Sequence, residues 1–233
     1  MLDVDATAPT LYKALGLDKA PSLDLDSEQA KLLPFELDGL YALTLASHYD
    51  KHKKQPAVLW DEPTLIRAMR ELIRDVIWPP LDYLVMDSPP SSSGFMQALY
   101  DAVAGDIYGT VLVFQPSDIA VEDLIRTLDF IKEKKVPVIG LIANMAYCIS
   151  PSGEEFWPFI SPNVNIGHIC EEHGIAQLGE VPLTPNQERL DLEFDKIAAR
   201  VPSIAPLILK DSMLTKLYER IAMETVKAVV RRL

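Results

Sequence analysis

The chain has 233 residues, 48% of them apolar, which suffices for one sizeable buried core. Its formal charge of −12 opposes long-range attraction to a phosphate backbone, so nucleic acid is not an expected partner. Two cysteines are too few for a disulfide framework, no apolar run approaches the roughly 20 residues of a membrane helix, and MLDVDATAPT lacks a secretory pattern, so a cytoplasmic protein without membrane contact is expected.

In chain order, MLDVD reads as the end of a buried strand entering an acidic loop. Strands usually run about five or six residues, and only Met1 and Leu2 precede the first aspartate. The expectation is therefore an N-terminally incomplete domain; the alternative is a frayed terminus. Asp18 to Lys31 reads as an exposed connection. Further strands are expected at Leu40 to Ala46, Leu81 to Asp87, Thr110 to Phe114, Pro137 to Ala143 and Leu178 to Val181. Several are apolar at consecutive positions, the pattern of parallel strands covered on both faces.

After Asp61, Leu65, Ile66, Met69, Leu72, Ile73, Val76 and Ile77 recur at helical spacing, with Pro63 suited to the first turn and Trp78-Pro79-Pro80 as the stop. A second helix is predicted from Asp118 as N-cap, with Val121, Leu124, Ile125, Leu128 and Ile131 as its apolar stripe. Ser150 to Asn163, with a glycine and three prolines, reads as a connection. A short helix through His168 to Glu172 stops at Gly174, and a last one begins at Pro206 or Ser212. The expected architecture is one α/β domain over 1–233, three layers (α/β/α) around a mostly parallel open sheet, with 206–233 as its C-terminal helix.

Three separated segments carry a family resemblance. MLDVDATAPTLYKALGL is similar to "LLDADxxGPSxxxxLG", and VIWPPLDYLVMDSPPSSSG is similar to "VxWGxLDYLxxDxPPGTGD". The third runs from TVLVFQPSDIAVEDLIRTLDFIKEKKVPVIGLIANMAYCISPSGEEFW through NIGHICEEHGIAQLGEVPLTP. Together, in this order, they resemble the Mrp/NBP35 branch of the ParA/MinD-type P-loop ATPases, iron–sulfur cluster carrier proteins. The resemblance implies a P-loop NTPase-like fold, ATP and Mg²⁺ as ligands, and iron–sulfur client proteins.

It also implies roles. Asp87, at a strand end before Ser88-Pro89-Pro90, matches the aspartate that holds a Mg²⁺-bound water; the alternative is a helix-capping or loop-start carboxylate. Asp3 and Asp5 match the paired acids of the first switch segment, Asp5 lying near the attacking water only in a complete site; the alternative is a pair of solvated acids. Asn144 matches the asparagine that contacts the adenine base, and Pro182 the loop beside it; turn capping and strand termination are the alternatives.

Two departures weigh against the family activity. Nothing in 1–233 has the form GxxxxGK[ST], whose backbone N–H groups and lysine hold the β- and γ-phosphates. Where relatives carry CxxC after "NMxY", this chain has Asn144-Met145-Ala146-Tyr147 followed by CISPSG, so Ser150 and Gly153 stand at the cysteine positions. No iron–sulfur ligands are therefore expected: hydroxyls are not the soft thiolates such clusters need. Cys148 and Cys170 read as apolar filler, and His48 and His52 as part of a polar stretch. The expected function is a divergent ATP-binding relative, inactive as an ATPase by itself. The alternatives are a pseudo-ATPase that forms a homodimer or a heterodimer with a complete relative, and a ParA/MinD-like partitioning protein. Trp157 and Phe159 suit such a dimer contact or a local plug.

Overall fold

The computed structural model describes residues 1–5, 11–17, 24–26, 31–37, 39–44, 62–88, 94–103, 105–150, 152–159, 164–183 and 212–231. These divide into two compact units, one within Met1–Ala102 and one within Val103–Phe194 and Leu207–Leu233.

In the first unit, β1 (Leu2–Asp3) is a central strand, paired in parallel with β5 (Leu40–Thr44) on one side and β6 (Met86–Asp87) on the other. β4 (Phe35–Leu37) closes the β5 edge in antiparallel register, giving the order β4-β5-β1-β6. The acidic N-terminus is thus neither frayed nor solvated: Leu2, Asp3 and Val4 are fully buried. Helix α1 (Leu11–Ala14) packs Leu11 and, just beyond it, Leu15 against Ala42, with Met1, Phe35, Leu37 and Leu40 around them. An antiparallel pair, β2 (Asp24–Leu25) with β3 (Leu32–Leu33), starts within the connection expected over Asp18 to Lys31 and ends just beyond it. Helix α2 (Glu62–Arg74) buries Met69 and Leu72, as its spacing predicts, and ends before the prolines because Asp75 and Ile77 bond to Leu32 instead.

LDYLVMD does not form the strand expected over Leu81 to Asp87. Only Met86 and Asp87 are strand, while Leu81, Tyr83, Leu84 and Val85 are exposed. The outer side of β6 has no paired strand among the described residues, so nothing extends its ladder upstream. Helix α3 (Gly94–Val103), which has no prediction above, buries Met96, Leu99, Tyr100 and Val103.

The second unit holds an all-parallel sheet of order β11-β8-β7, from β7 (Thr110–Phe114), β8 (Val138–Ala143) and β11 (Ala176–Glu180). Leu141 and Ala143 of β8 face a core shared with Phe114, with Leu124 and Leu128 of α4 (Asp118–Glu133), and with Ile166, Ile169 and Cys170 of α5 (Ile166–His173). Ile142, between them, faces the other way onto Leu214, Leu217 and Ile221 of α6 (Ser212–Val230). Helices therefore lie on both faces, the three layers expected of a parallel sheet. α4 is capped by Ser117, whose hydroxyl accepts from the Ala120 amide at 3.4 Å; Asp118, expected as the cap, is instead the acid of the first turn. α5 stops at Gly174 in the left-handed region, as predicted, and begins earlier than expected, at the Asn165 cap.

Two glycines set the packing of this unit. A Cβ on Gly179 would lie 2.6 Å from Ile221 Cγ1, so α6 sits directly on β11. A Cβ on Gly140 would run into the backbone carbonyl of Ala176 and the Leu178 side chain. Side-chain ends can swing aside and a paired backbone cannot. Gly140→Ala is therefore expected to destabilise the protein by about 1–3 kcal/mol and by more than Gly179→Ala, as read from urea midpoints of the two variants.

Candidate functional site

The predicted site residues fall into two groups, one in each unit. In the first, the register Asp3↔Asp87 sets the carboxyl ends of β1 and β6 side by side, and the amide of Val4 donates to the Asp87 carbonyl at 2.9 Å. Asp3 sits inside the fold. Its carboxylate accepts from the Thr44 hydroxyl at 2.8 Å, the Asp5 amide at 3.0 Å and the Leu11 amide at 3.3 Å. It thereby ties β5, the acidic loop and the start of α1 together, and its side chain is buried.

Burial pushes the Asp3 carboxyl above the ordinary carboxylate range; its three hydrogen bonds pull the other way, and the charge of Asp87 adds to the rise. Asp87 is also raised, by partial desolvation first and then by the charge of Asp5. As a residue Asp87 is exposed, so its carboxyl stands at a rim, shielded on one side only. Asp5 is half-buried and close enough for its charge to oppose ionisation of Asp87. A carboxylate whose ionisation a neighbouring acid opposes is one that a cation would relieve. Mg²⁺ takes one or two protein carboxylates and completes its octahedron with water and phosphate, so Asp87 with Asp5 fits that mode. Among the described residues no cluster of three or more His, Cys, Asp or Glu could cage a metal unaided.

In the second unit, Asn144 follows β8 directly and is half-buried, its amide held by the Phe114 carbonyl at 2.8 Å. The next residue, Met145, has φ 55°, which turns the chain so that Ala146 bonds to the Val181 carbonyl at 3.0 Å. Leu183 donates to the Tyr147 carbonyl at 2.7 Å, and Pro182 between them is buried. Asn144 and Pro182, 38 positions apart in sequence, thus lie on two segments stitched together at the carboxyl end of the sheet, where open parallel sheets bind ligands.

The segment expected as a plain connection is partly a hairpin. β9 (Cys148–Ile149) pairs antiparallel with β10 (Glu155–Phe156), and the turn between them carries Ser150, Ser152 and Gly153. The Ser150 hydroxyl lies 2.8 Å from that of Ser152 and accepts from the Glu154 amide at 3.0 Å, while Gly153 has φ 89°. Cys148 and Cys170 are both buried, and burial raises the Cys170 thiol, so the latter is a packing residue as expected. His48 and His52 lie outside the described residues.

The family model for ParA, described as NUBPL iron-transfer P-loop NTPase, matches residues 1–222. The chain belongs to this family. Among curated relatives, the iron-sulfur cluster carrier protein of Aquifex aeolicus is 30% identical over 185 residues, 79% of this chain and 49% of that protein. The protein of the same description from Deinococcus radiodurans is 29% identical over 234 residues, all of this chain and 59% of its own length. The chain thus spans about half the length of the curated relatives it matches. A nucleotide-binding protein from Archaeoglobus fulgidus, solved in complex with ADP, superposes with a TM-score of 0.60 over 96% of this chain and 73% of its own; at 21% identity it shares the fold. The Mrp/NBP35 resemblance and the P-loop NTPase-like architecture read from the sequence are both upheld.

Removing the hydroxyl donor to Asp3 tests its positioning role. Thr44→Val should cost about 1–3 kcal/mol, the usual consequence of leaving a buried polar group short of a partner. The pH dependence has a definite sign. A carboxyl whose folded-state pKa is raised binds more protons folded than unfolded, so its contribution is fullest in acid and is lost as pH rises through the folded value. Asp3→Asn should therefore gain stability relative to the parent as pH climbs out of the ordinary carboxylate range, read from paired urea titrations between about pH 4 and 8.

Proposed function

We propose that this chain is a nucleotide-binding component of iron–sulfur cluster assembly or carriage that, as residues 1–233, neither hydrolyses ATP at a useful rate nor holds a cluster itself. The observation that carries this reading is the Asp5–Asp87 pair at the carboxyl ends of β1 and β6, in a chain whose family is described as an iron-transfer P-loop NTPase. Asp87 would hold the Mg²⁺ shell with Asp5 beside it, and Asn144 with Pro182 would border the base. Bound Mg²⁺ would neutralise charge on the transferring phosphate. Asp5 would orient the attacking water, and Asp3 would fix the loop that carries Asp5.

What these residues do not supply is a grip on the phosphates themselves. No GxxxxGK[ST] sequence occurs in the 233 residues, and Ser88 to Gly94 offers no lysine in its place. A carboxylate rim without compensating donors repels the triphosphate it would have to position. The hairpin at Ser150 points the same way for the cluster. Its hydroxyls are spent on the turn, and oxygen ligands are a poor match to iron–sulfur clusters beside thiolates.

A partner completes the reading. Phe156, Trp157 and Phe159 stand exposed on and just after the hairpin, where aromatic anchors would serve a dimer with a second copy or with a complete relative. Client proteins that receive iron–sulfur clusters are part of this proposal, supported by relatives described as iron-sulfur cluster carrier proteins. DNA or membrane partitioning is disfavoured by the charge of −12, and no described helix is long and apolar enough to cross a membrane. A cytoplasmic location suits the same chemistry.

The test is anaerobic purification followed by iron and sulfide analysis, with a Mg²⁺–ATP turnover assay on the same sample. Neither bound iron nor turnover above a protein-free blank is expected. Stoichiometric cluster or sustained hydrolysis by residues 1–233 would refute the reading.

A further inference from the structure

Two helices on opposite faces of the second unit's sheet carry charge stripes of opposite sign. On α4, Asp118, Glu122, Asp129 and Glu133 are all exposed. On α6, Lys216, Arg220, Lys227 and Arg231 are exposed too, Arg231 lying one residue past the helix with its amide still bonded to the Lys227 carbonyl at 3.0 Å. Both sets follow the steps i, i+4, i+11 and i+15. At about 3.6 residues per turn this spacing keeps the side chains within about 60° of one another along roughly 22 Å of helix.

The match extends to what borders the stripes. At i+8 the acidic stripe has Arg126 and the basic stripe has Glu224; at i+7 both have an exposed apolar side chain, Ile125 and Met223. The signs are therefore opposite at five corresponding positions, with an apolar pair at a sixth. Within one chain the stripes do not meet, because α4 packs Leu124 and Leu128 on the Leu141 side of the sheet and α6 packs Leu217 and Ile221 on the Ile142 side. Local pairs compete only weakly. Glu122 lies 3.8 Å from Arg126, Arg126 lies 2.9 Å from Asp123 and Lys227 lies 2.7 Å from Glu224, each between exposed side chains of one helix, where such pairs contribute little.

We propose that the α4 stripe of one copy docks on the α6 stripe of a second copy of this chain, with the two helices side by side and parallel. Parallel register brings all five charge pairs together; the reversed register keeps the outer four and sets Arg126 against Met223. A phosphate-bearing surface would satisfy the four bases and leave Glu224 facing like charge, so a polypeptide with the complementary pattern is the occupant that fits. Each docked pair keeps an unused acidic stripe at one end and an unused basic stripe at the other. Association therefore continues beyond two copies unless it closes into a ring. This contact uses neither the hairpin aromatics nor the nucleotide site, and it stands independently of the proposed function.

Sedimentation velocity of the whole chain at two salt concentrations tests it. Copies of charge −12 repel at long range, but a screening length of about 10 Å at 0.1 M salt confines that repulsion, whereas about 3 Å at 1 M reaches the contact pairs themselves. Association is expected at the lower salt and its loss at the higher. Asp129→Lys with Glu133→Lys, and Lys227→Glu with Arg231→Glu, should each weaken association about tenfold or more, although the first pair reduces the net negative charge and the second increases it. Mixing the two variants should restore it, because a reversed α4 then meets a reversed α6. Circular dichroism checks that each variant is folded; for one that is not, the neutral Asp129→Asn with Glu133→Gln or Lys227→Gln with Arg231→Gln is weighed against the parent instead. A monomeric parent at 0.1 M salt, association indifferent to salt or to both reversals, or mixing without rescue would each overturn the proposal. A dimer that survives both reversals would leave the hairpin contact standing alone. Capture of the parent by phosphatidylglycerol vesicles in place of self-association would assign the basic stripe to a lipid surface and overturn the proposal as well.

Discussion

A carboxylate removed from water organises the first unit. Asp3 is fully buried on a strand only two residues long, and it is held by a hydroxyl from β5, an amide of the acidic loop and an amide at the start of α1. A buried charge is tolerated only when donors converge on it, and these donors come from three separate stretches of chain. Satisfying Asp3 therefore fixes where the loop leaves β1, and with it the position of Asp5 relative to Asp87. The candidate site acids are thus arranged by three contacts that are themselves structural.

Much of this was legible in the residues. The spacing of Met69 and Leu72 in α2, the apolar stripe of α4, the Gly174 stop and strand β7 are local signals, and each is found where periodicity or glycine conformation puts it. The family emerged from three motifs in fixed order, a pattern that survives low identity because it reports the carboxyl ends of successive strands. Asp87 and Asn144 lie at or directly after such ends, and Asp5 follows β1 by two residues.

Where sequence and structure part, the causes are partly non-local. Leu81 to Val85 are apolar enough for a buried strand, but a strand needs a neighbour on its flank, and periodicity cannot report whether one exists. The structural ties of Asp3 were not legible either, because the sequence does not show that Thr44, 41 positions away, donates to it. The hairpin of β9 and β10 was hidden by the prolines around it, and the cap of α4 fell one residue early because serine and aspartate cap equally well. For Leu81 to Val85 and for Asp3 the deciding partner lies outside the window in which a pattern can be seen; the cap and the hairpin are local ambiguities.

The turn of that hairpin also bears on how a cluster motif could return. Gly153 occupies a left-handed backbone conformation, which a residue with a side chain adopts only at a cost of about 1–3 kcal/mol. Exchanging Ser150 and Gly153 for thiols would restore the spelling of a metal motif on a backbone shaped for glycine. A cysteine at 153 would therefore carry that backbone cost in addition to the loss of the Ser150 turn contacts.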